Sequence, residues 1–207
     1  MKKVLKNVSF VILLLKMCVI FGQETDAQKQ IVIDIGHGGK DAGAIGINGI
    51  QEKDFVLSIA NEILRLNNEL EKPLDIYLTR YNDTLISLSQ RTKLAKALKA
   101  NLFVSLHCNH SENPNARGIE VYVSRKQKEF SKASVFAGYK IERVLCETIG
   151  YESRGVKFAN FQVLRETTEY CPAILIELGF LSNVDEAQYL MKKENVLAIA
   201  LSILKKL

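Results

Sequence analysis

From residue 31 onward, short runs of β-branched and aliphatic residues alternate with longer stretches in which apolar positions recur every three or four residues. This is the pattern of an α/β domain with a largely parallel sheet. Ile31 to Ile35 reads as the first strand. Phe55, Ile59, Ile63, Leu66 and Leu70 recur at helical spacing, so a helix of several turns follows, and Pro73 lies beyond its end. Leu74 to Leu78 reads as a second strand. Ser87, with Gln90 three residues later, forms a capping box that opens a helix to about Lys99. Leu102 to Leu106 is a third strand, and Gly118 to Val123 a fourth, at or near a sheet edge. Val135, Tyr139, Val144 and Leu145 mark the next helix, between Phe130 and Thr148, and Phe161 to Leu164 reads as a short extended piece. Ala173 to Ile176 is a continuous apolar run between Pro172 and Gly179, as expected of a strand buried on both faces. Asn183 and Glu186 then cap a last helix that runs towards Leu207. No repeat or linker interrupts this series. The expected fold is a single α/β domain, a mostly parallel twisted sheet flanked by helices.

The chain of 207 residues is long enough for one core and too short for two ordinary domains. The first residues read differently from the rest. Lys2, Lys3 and Lys6 precede an apolar run from Val8 to Phe21 that only Ser9 and Lys16 interrupt, and a polar stretch from Gly22 to Ala27 follows. That order is the layout of a secretory signal, with cleavage near residues 22–27 and a mature domain from residue 28 to 207. The run is shorter than the roughly 20 residues that span a bilayer, so membrane contact is expected only through the uncleaved signal segment. Cys18 does not read as a lipid anchor, because Lys16 and Met17 stand where a lipoprotein signal has small residues. The expected location is outside the cytoplasm, in the periplasm or cell envelope.

Removal of residues 1–27 takes away four lysines and two acids, so the formal charge falls from +5 to +3. So mild an excess points to no nucleic-acid partner. Cys108, Cys146 and Cys171 would remain, an odd and sparse set that reads as small buried side chains and not as a disulfide framework.

Candidate chemistry gathers at the expected strand ends. Of the three histidines, His37 and His107 follow the first and third strands directly or nearly so, in polar loops, and open α/β sheets bind ligands at the carboxyl ends of their strands. The loop Gly36-His37-Gly38-Gly39-Lys40-Asp41-Ala42-Gly43 lets backbone approach a ligand closely, but it carries neither phosphate-binding pattern. Two imidazoles with one carboxylate, from Glu52 or Glu177, make the usual three-ligand set of a hydrolytic zinc and leave a fourth position for water. Glu52 begins the first helix, where a carboxylate also complements the helix dipole. Glu177 emerges from an apolar strand, a place where an acid rarely stands without a partner or a task.

Five segments, taken together, resemble the zinc-dependent N-acetylmuramoyl-L-alanine amidases, which trim bacterial peptidoglycan. They are residues 31–44, Glu52-Lys53-Asp54, Leu78-Thr79-Arg80, Ser105-Leu106-His107-Cys108-Asn109 and residues 176–183, in the family's order and across nearly all of the expected mature chain. The resemblance implies that His37, Glu52 and His107 hold one zinc ion per chain and that Glu177 is the catalytic glutamate. Arg91, Arg154-Gly155-Val156-Lys157 and Val163-Leu164-Arg165 are similar to the family's framework around the groove. Cys108 and His110 stand where alanines are common, and Val56 where asparagine is common. His110 reads as a solvent-facing loop residue.

What the resemblance implies is hydrolysis of the amide between the lactyl group of N-acetylmuramic acid and L-alanine, with peptidoglycan as partner. The rival readings are a zinc peptidase or carboxypeptidase acting on cell-wall peptides, and a wall-binding module without activity. Some relatives plug the groove with a helical insertion, but here Gly118 to Gly155 is used up by one strand and one helix. Activity without an activator protein is therefore expected.

Overall fold

A computed structural model describes residues 28–47 and 49–207; the expected signal segment, with Cys18, lies outside them. The elements are β1 (Gln30–Ile35), α1 (Glu52–Asn68), β2 (Asp75–Leu78), α2 (Leu88–Ala97), β3 (Leu102–Asn109), β4 (Ile119–Ser124), α3 (Ser131–Ile149), β5 (Ser153–Ala159), α4 (Gln162–Thr167), β6 (Ala173–Phe180), α5 (Val184–Leu190) and α6 (Lys193–Leu204). Six strands form one sheet in the order β2-β1-β3-β6-β4-β5. β2, β1, β3 and β6 are parallel, whereas β4 runs antiparallel to β6 and carries β5 parallel to itself. Among the described residues no helix is long and apolar enough to cross a membrane.

Alternation along the strands sorts side chains onto two faces. Ile31, Ile33 and Ile35 of β1, Val104 and Leu106 of β3 and Ile174 and Ile176 of β6 form one core with Phe55, Ile59 and Ile63 of α1, Ile141 and Leu145 of α3 and Ile199 and Ile203 of α6. Each such side chain contributes about 1.5–3 kcal/mol when fully buried. The opposite face holds a smaller core of Val32, Phe103, Ala173 and Leu175 under Ala95 of α2 and Val163 and Leu164 of α4. The same face carries Asp34, Ser105, His107 and Glu177, because these alternate with the residues of the first core.

Several elements differ from the sequence pattern. α1 stops at Asn68 and leaves Leu70 exposed. The reason is buried Asn67, whose side-chain amide donates to Leu74 O and accepts from Leu74 N, both at 2.9 Å, turning the chain into β2. Ser87 and Gln90 do form the capping box. β3 and β6 each run further than expected, so His107 lies within a strand and not in a loop after it. Phe161 to Leu164 is not extended: residues 162–167 form α4, whose Val163, Leu164 and Thr167 are buried. The last helix is two, α5 and α6, with the side chain of Asn195 bonded to Tyr189 O at the break. Asn183 caps α5, accepting from Asp185 N and Glu186 N, but Glu186 does not complete a capping box. Its buried carboxylate accepts instead from Gly118 N and Phe180 N, both at 2.7 Å, and so ties the start of β4 to the end of β6. Between β4 and β5 the only helix is α3, and it packs on the face away from His107 and Glu177.

Candidate active site

The loop after β1 is held from beneath by two arginines. Buried Arg91 donates to Asp34 Oδ1 (2.7 Å), to Ile35 O and to His37 O (2.7 Å). Arg80, also buried, donates to Gly36 O (3.0 Å) and to Lys53 O (2.7 Å). Asp34, 1% exposed, accepts further from Thr79 and Ser105. With Asp34 Oδ1 and the carbonyls of Ile35 and His37 accepting from it, the buried guanidinium of Arg91 is compensated, as it must be. The result is a fixed backbone at His37, whose φ of 57° is unfavourable for a residue with a side chain.

His37, Glu52 and His107 converge above this base. One ligand atom from each lies within 4.8 Å of the others, a group that could hold a metal ion. Glu52, at the first position of α1, is 2% exposed. Its Oε2 accepts from Ala44 N at 2.8 Å and lies 3.1 Å from His37 Nε2. Its Oε1 accepts from Cys108 N at 2.9 Å and lies 2.8 Å from His107 Nδ1. Asp41 Oδ2 sits 2.9 Å from His37 Nδ1, and since a carboxylate can only accept, this nitrogen carries the proton and Nε2 is left for a ligand's role. Gly43, at φ 67°, passes so close that an added Cβ would come within 2.5 Å of Glu52 Oε2 and 2.6 Å of the His37 ring. The turn needs glycine both for its conformation and for this approach.

The electrostatics suit a cation. Burial raises and the hydrogen bonds of His107 and His37 lower the pKa of Glu52, with the bonds prevailing, so its carboxylate stays ionised well below the ordinary range. Burial works against a charged His37, yet the bonds and charges of Glu52 and Asp41 outweigh it and raise its pKa to about 9. His107 is raised against the same burial by the bond to Glu52 and the charge of Glu177. One carboxylate thus draws both imidazoles towards their protonated form, as in a donor set for which protons and a metal ion compete.

Glu177 lies beside this group, paired in register with His107 across β3 and β6. Burial pushes its carboxyl up to about 7; the charge of His107 opposes this and those of Glu52 and Glu120 add to it. Its Oε2 is buried without a hydrogen-bond partner among the described residues. His37, His107 and Glu177 line a cleft of about 720 Å³, with Glu52 buried behind the two imidazoles; Leu85, Ile86 and Leu88 before and in α2 and Phe161 and Val163 at α4 also line it.

The other candidates sort plainly. His110 is exposed and stands outside the cluster. Cys108 and Cys171 are buried, Cys146 is partly so, and all three are free; burial drives the Cys108 thiol pKa well above its ordinary range. Arg91 is a buried brace and no surface residue, while Arg165 is partly exposed and bonded to Asn160.

Residues 31–207 match the family model for N-acetylmuramoyl-L-alanine amidase, about the whole of the described domain. The chain belongs to this family. It is thus an enzyme of the amidase class that acts on peptidoglycan. Among solved structures it is similar to the catalytic domain of the N-acetylmuramoyl-L-alanine amidase CwlV from Bacillus (Paenibacillus) polymyxa var. colistinus. That pair is 38% identical with a TM-score of 0.77, and the match covers 86% of this chain and 95% of that one. It is similar also to the N-acetylmuramoyl-L-alanine amidase from Clostridium difficile 630, 32% identical with a TM-score of 0.79, over 86% and 94% of the two chains. An endolysin of Bacillus phage SPP1 is 39% identical over 82% of this amidase chain, which spans 60% of the endolysin's length.

Proposed function

We propose that this amidase is zinc-dependent and cleaves the bond between N-acetylmuramic acid and the L-alanine of the stem peptide, with Glu177 as its catalytic base. The observation that supports it most is a three-residue group able to hold a metal ion beside Glu177, whose buried Oε2 has no hydrogen-bond partner among the described residues. His37, Glu52 and His107 would hold one zinc, which suits two imidazoles and a carboxylate. Bound there, zinc supplies Lewis-acid polarisation of the scissile carbonyl and of the attacking water. The remaining work falls to the chain's own residues. Glu177 takes a proton from the water as oxygen adds to the carbonyl carbon, then delivers that proton to the departing nitrogen as the C–N bond breaks. In the metal-free protein burial already holds this carboxyl at about 7, well above the ordinary carboxylate range, so it can exist in both protonation states near neutral pH. Apolar side chains of the cleft wall stand beside the site, and Asp41 keeps the His37 ring in one orientation.

Purified chain without its first 27 residues, loaded with zinc and mixed with cell wall, tests this by mass spectrometry. The expected products are free stem peptides that begin with L-alanine, beside peptide-free glycan, and the chain alone should release them without an activator, since α3 leaves the cleft clear. Cuts inside the stem peptide would support the peptidase reading. We propose export as well, on the basic, apolar and polar order of residues 1–27. Amino-terminal sequencing of the native protein checks this, and an intact Met1 on a cytoplasmic protein would sink it.

Metal uptake should release protons. In the metal-free protein His37 keeps its proton up to about pH 9, and that proton must leave before Nε2 can serve as a ligand. Apparent zinc affinity should therefore rise with pH, by about tenfold per unit for each proton displaced, and level off above about 9. Competition titrations with a chelator at several pH values would measure it. A flat profile between pH 6 and 9 would mean that His37 is not displaced from a protonated state.

A further inference from the structure

β5 carries a bulge where it pairs with β4. Ile119 stands opposite Ser153 and Val121 opposite Val156, so two steps along β4 meet three along β5. Gly155, at φ 79°, takes up the extra residue in a conformation that side chains resist. In a regular strand, residues three apart point to opposite faces. Here the bulge brings Arg154 and Lys157 together on one carboxylate, that of Glu120. Lys157 Nζ lies 2.9 Å from Glu120 Oε1, and Arg154 Nε is bonded to the same oxygen. The Tyr122 hydroxyl donates to the other oxygen.

Buried Glu120 is thus supplied with one cation more than it needs. The side chains of Arg154 and Lys157 are 37% and 39% exposed. Lys157 keeps ammonium donors that Glu120 does not use, and Arg154 keeps guanidinium donors beyond its bonds to Glu120 and to Arg117 O. The cluster therefore presents a net positive charge to solvent. It presents it next to the reacting centre, because Glu120 pairs in register with Glu177. Tyr122 packs edge-to-face on Phe161 of the cleft wall, with ring centroids 5.3 Å apart, so the cluster adjoins that wall.

We propose that Arg154 and Lys157 form a subsite for a free carboxylate of the stem peptide, on the β4–β5 side of the cleft. The inference rests on the amidase reading. In such peptides the residue after L-alanine is a glutamate joined through its side chain, so its α-carboxyl is either free or amidated, and the third residue can carry a further carboxyl. Two residues reach about 7 Å from the scissile carbonyl, and one to two strand spacings from β6 amount to about 5–10 Å. An extended stem leaving Glu177 towards β5 meets the cluster at that distance. Glu120 then acts as a positioning residue that holds both cations in place.

The test uses zinc-loaded enzyme and three muramoyl peptides: both carboxyls free, the second-residue carboxyl amidated, and the third-residue carboxyl amidated. One amidation should lower kcat/KM by about 10- to 100-fold, the range for a lost charge-assisted hydrogen bond, and the sensitive position names the carboxyl. Lys157→Met and Arg154→Gln should each bring the ratio of free to amidated substrate towards one. Lys157→Met leaves the Arg154–Glu120 pair intact, so it keeps the test open if Arg154→Gln fails to fold. Equal turnover of all three peptides by the unaltered enzyme would overturn the subsite, as would variants that keep the full ratio while only melting earlier. Cleavage of none of the three would overturn the amidase reading itself.

Discussion

Replacement of Glu177 by glutamine should leave fold and zinc content intact and remove most of the turnover. The amide is nearly isosteric, and the proposed ligand set consists of three other side chains, so neither packing nor metal retention should depend on the carboxylate. What disappears is the group that accepts the proton, worth about 10²–10⁴ in rate, and the loss should fall on kcat with little change in KM. The metal-free variant should also lose a pH dependence. Burial holds the Glu177 carboxyl at about 7, above its ordinary value of 4.5, so between these pH values the folded state keeps a proton that the unfolded state has released. Stability of the unaltered, metal-free protein therefore falls as pH rises through that window, and glutamine removes this contribution. Muropeptide turnover and zinc content measured on one preparation decide the matter. Zinc lost in step with activity would make Glu177 a ligand, and near-normal turnover would put the base elsewhere.

His107→Ala should lose both metal and activity. His37 and Glu52 alone are a poor site for a divalent ion, so the fall in affinity should exceed the about 10–100-fold that loss of an outer partner costs. The fold should survive. The His107 side chain is 20% exposed at the end of β3, and Glu52 keeps its bonds to Ala44 N and Cys108 N after the ring is gone. Zinc content and melting temperature would be compared with those of the unaltered chain. Full metal content in the variant would mean that the ligand has been misassigned.

How much could be read in the sequence depended on where each group draws its signal. β1, β3 and β6 announce themselves as apolar runs because both their faces are covered, and the residues just past those runs are the ones that line the site. Glu52 was legible through its place at a helix start, although nothing local distinguished a buried candidate ligand from an ordinary dipole partner. β5 was missed for a physical reason: Ser153-Arg154-Gly155-Val156-Lys157 is an edge segment with a bulge, and charged residues with glycine are what protects an edge from pairing. α4 was read as extended because Val163 favours strands, and its helicity comes from packing on the small core. Asp34 and Arg91 lie 57 residues apart in the chain. No spacing rule joins them, and only the assembled sheet brings the aspartate of β1 under the guanidinium of α2.

The two layers on either side of the sheet also differ in how firmly they are anchored. α1 and α6 bury long apolar rows, whereas α2 buries Arg91, Thr92 and Ala95, and the six-residue α4 buries Val163, Leu164 and Thr167. Amide protons of α4 should accordingly exchange with solvent through local openings, while those of β1, β3 and α1 wait for global unfolding, and α2 is tied to the loop after β1 by Arg91. The elements that carry His37, Glu52 and His107 belong to the slow part and the α4 wall to the fast part. A glycan strand far bulkier than any single residue can then be admitted by breathing of that one wall, with the proposed metal site held still.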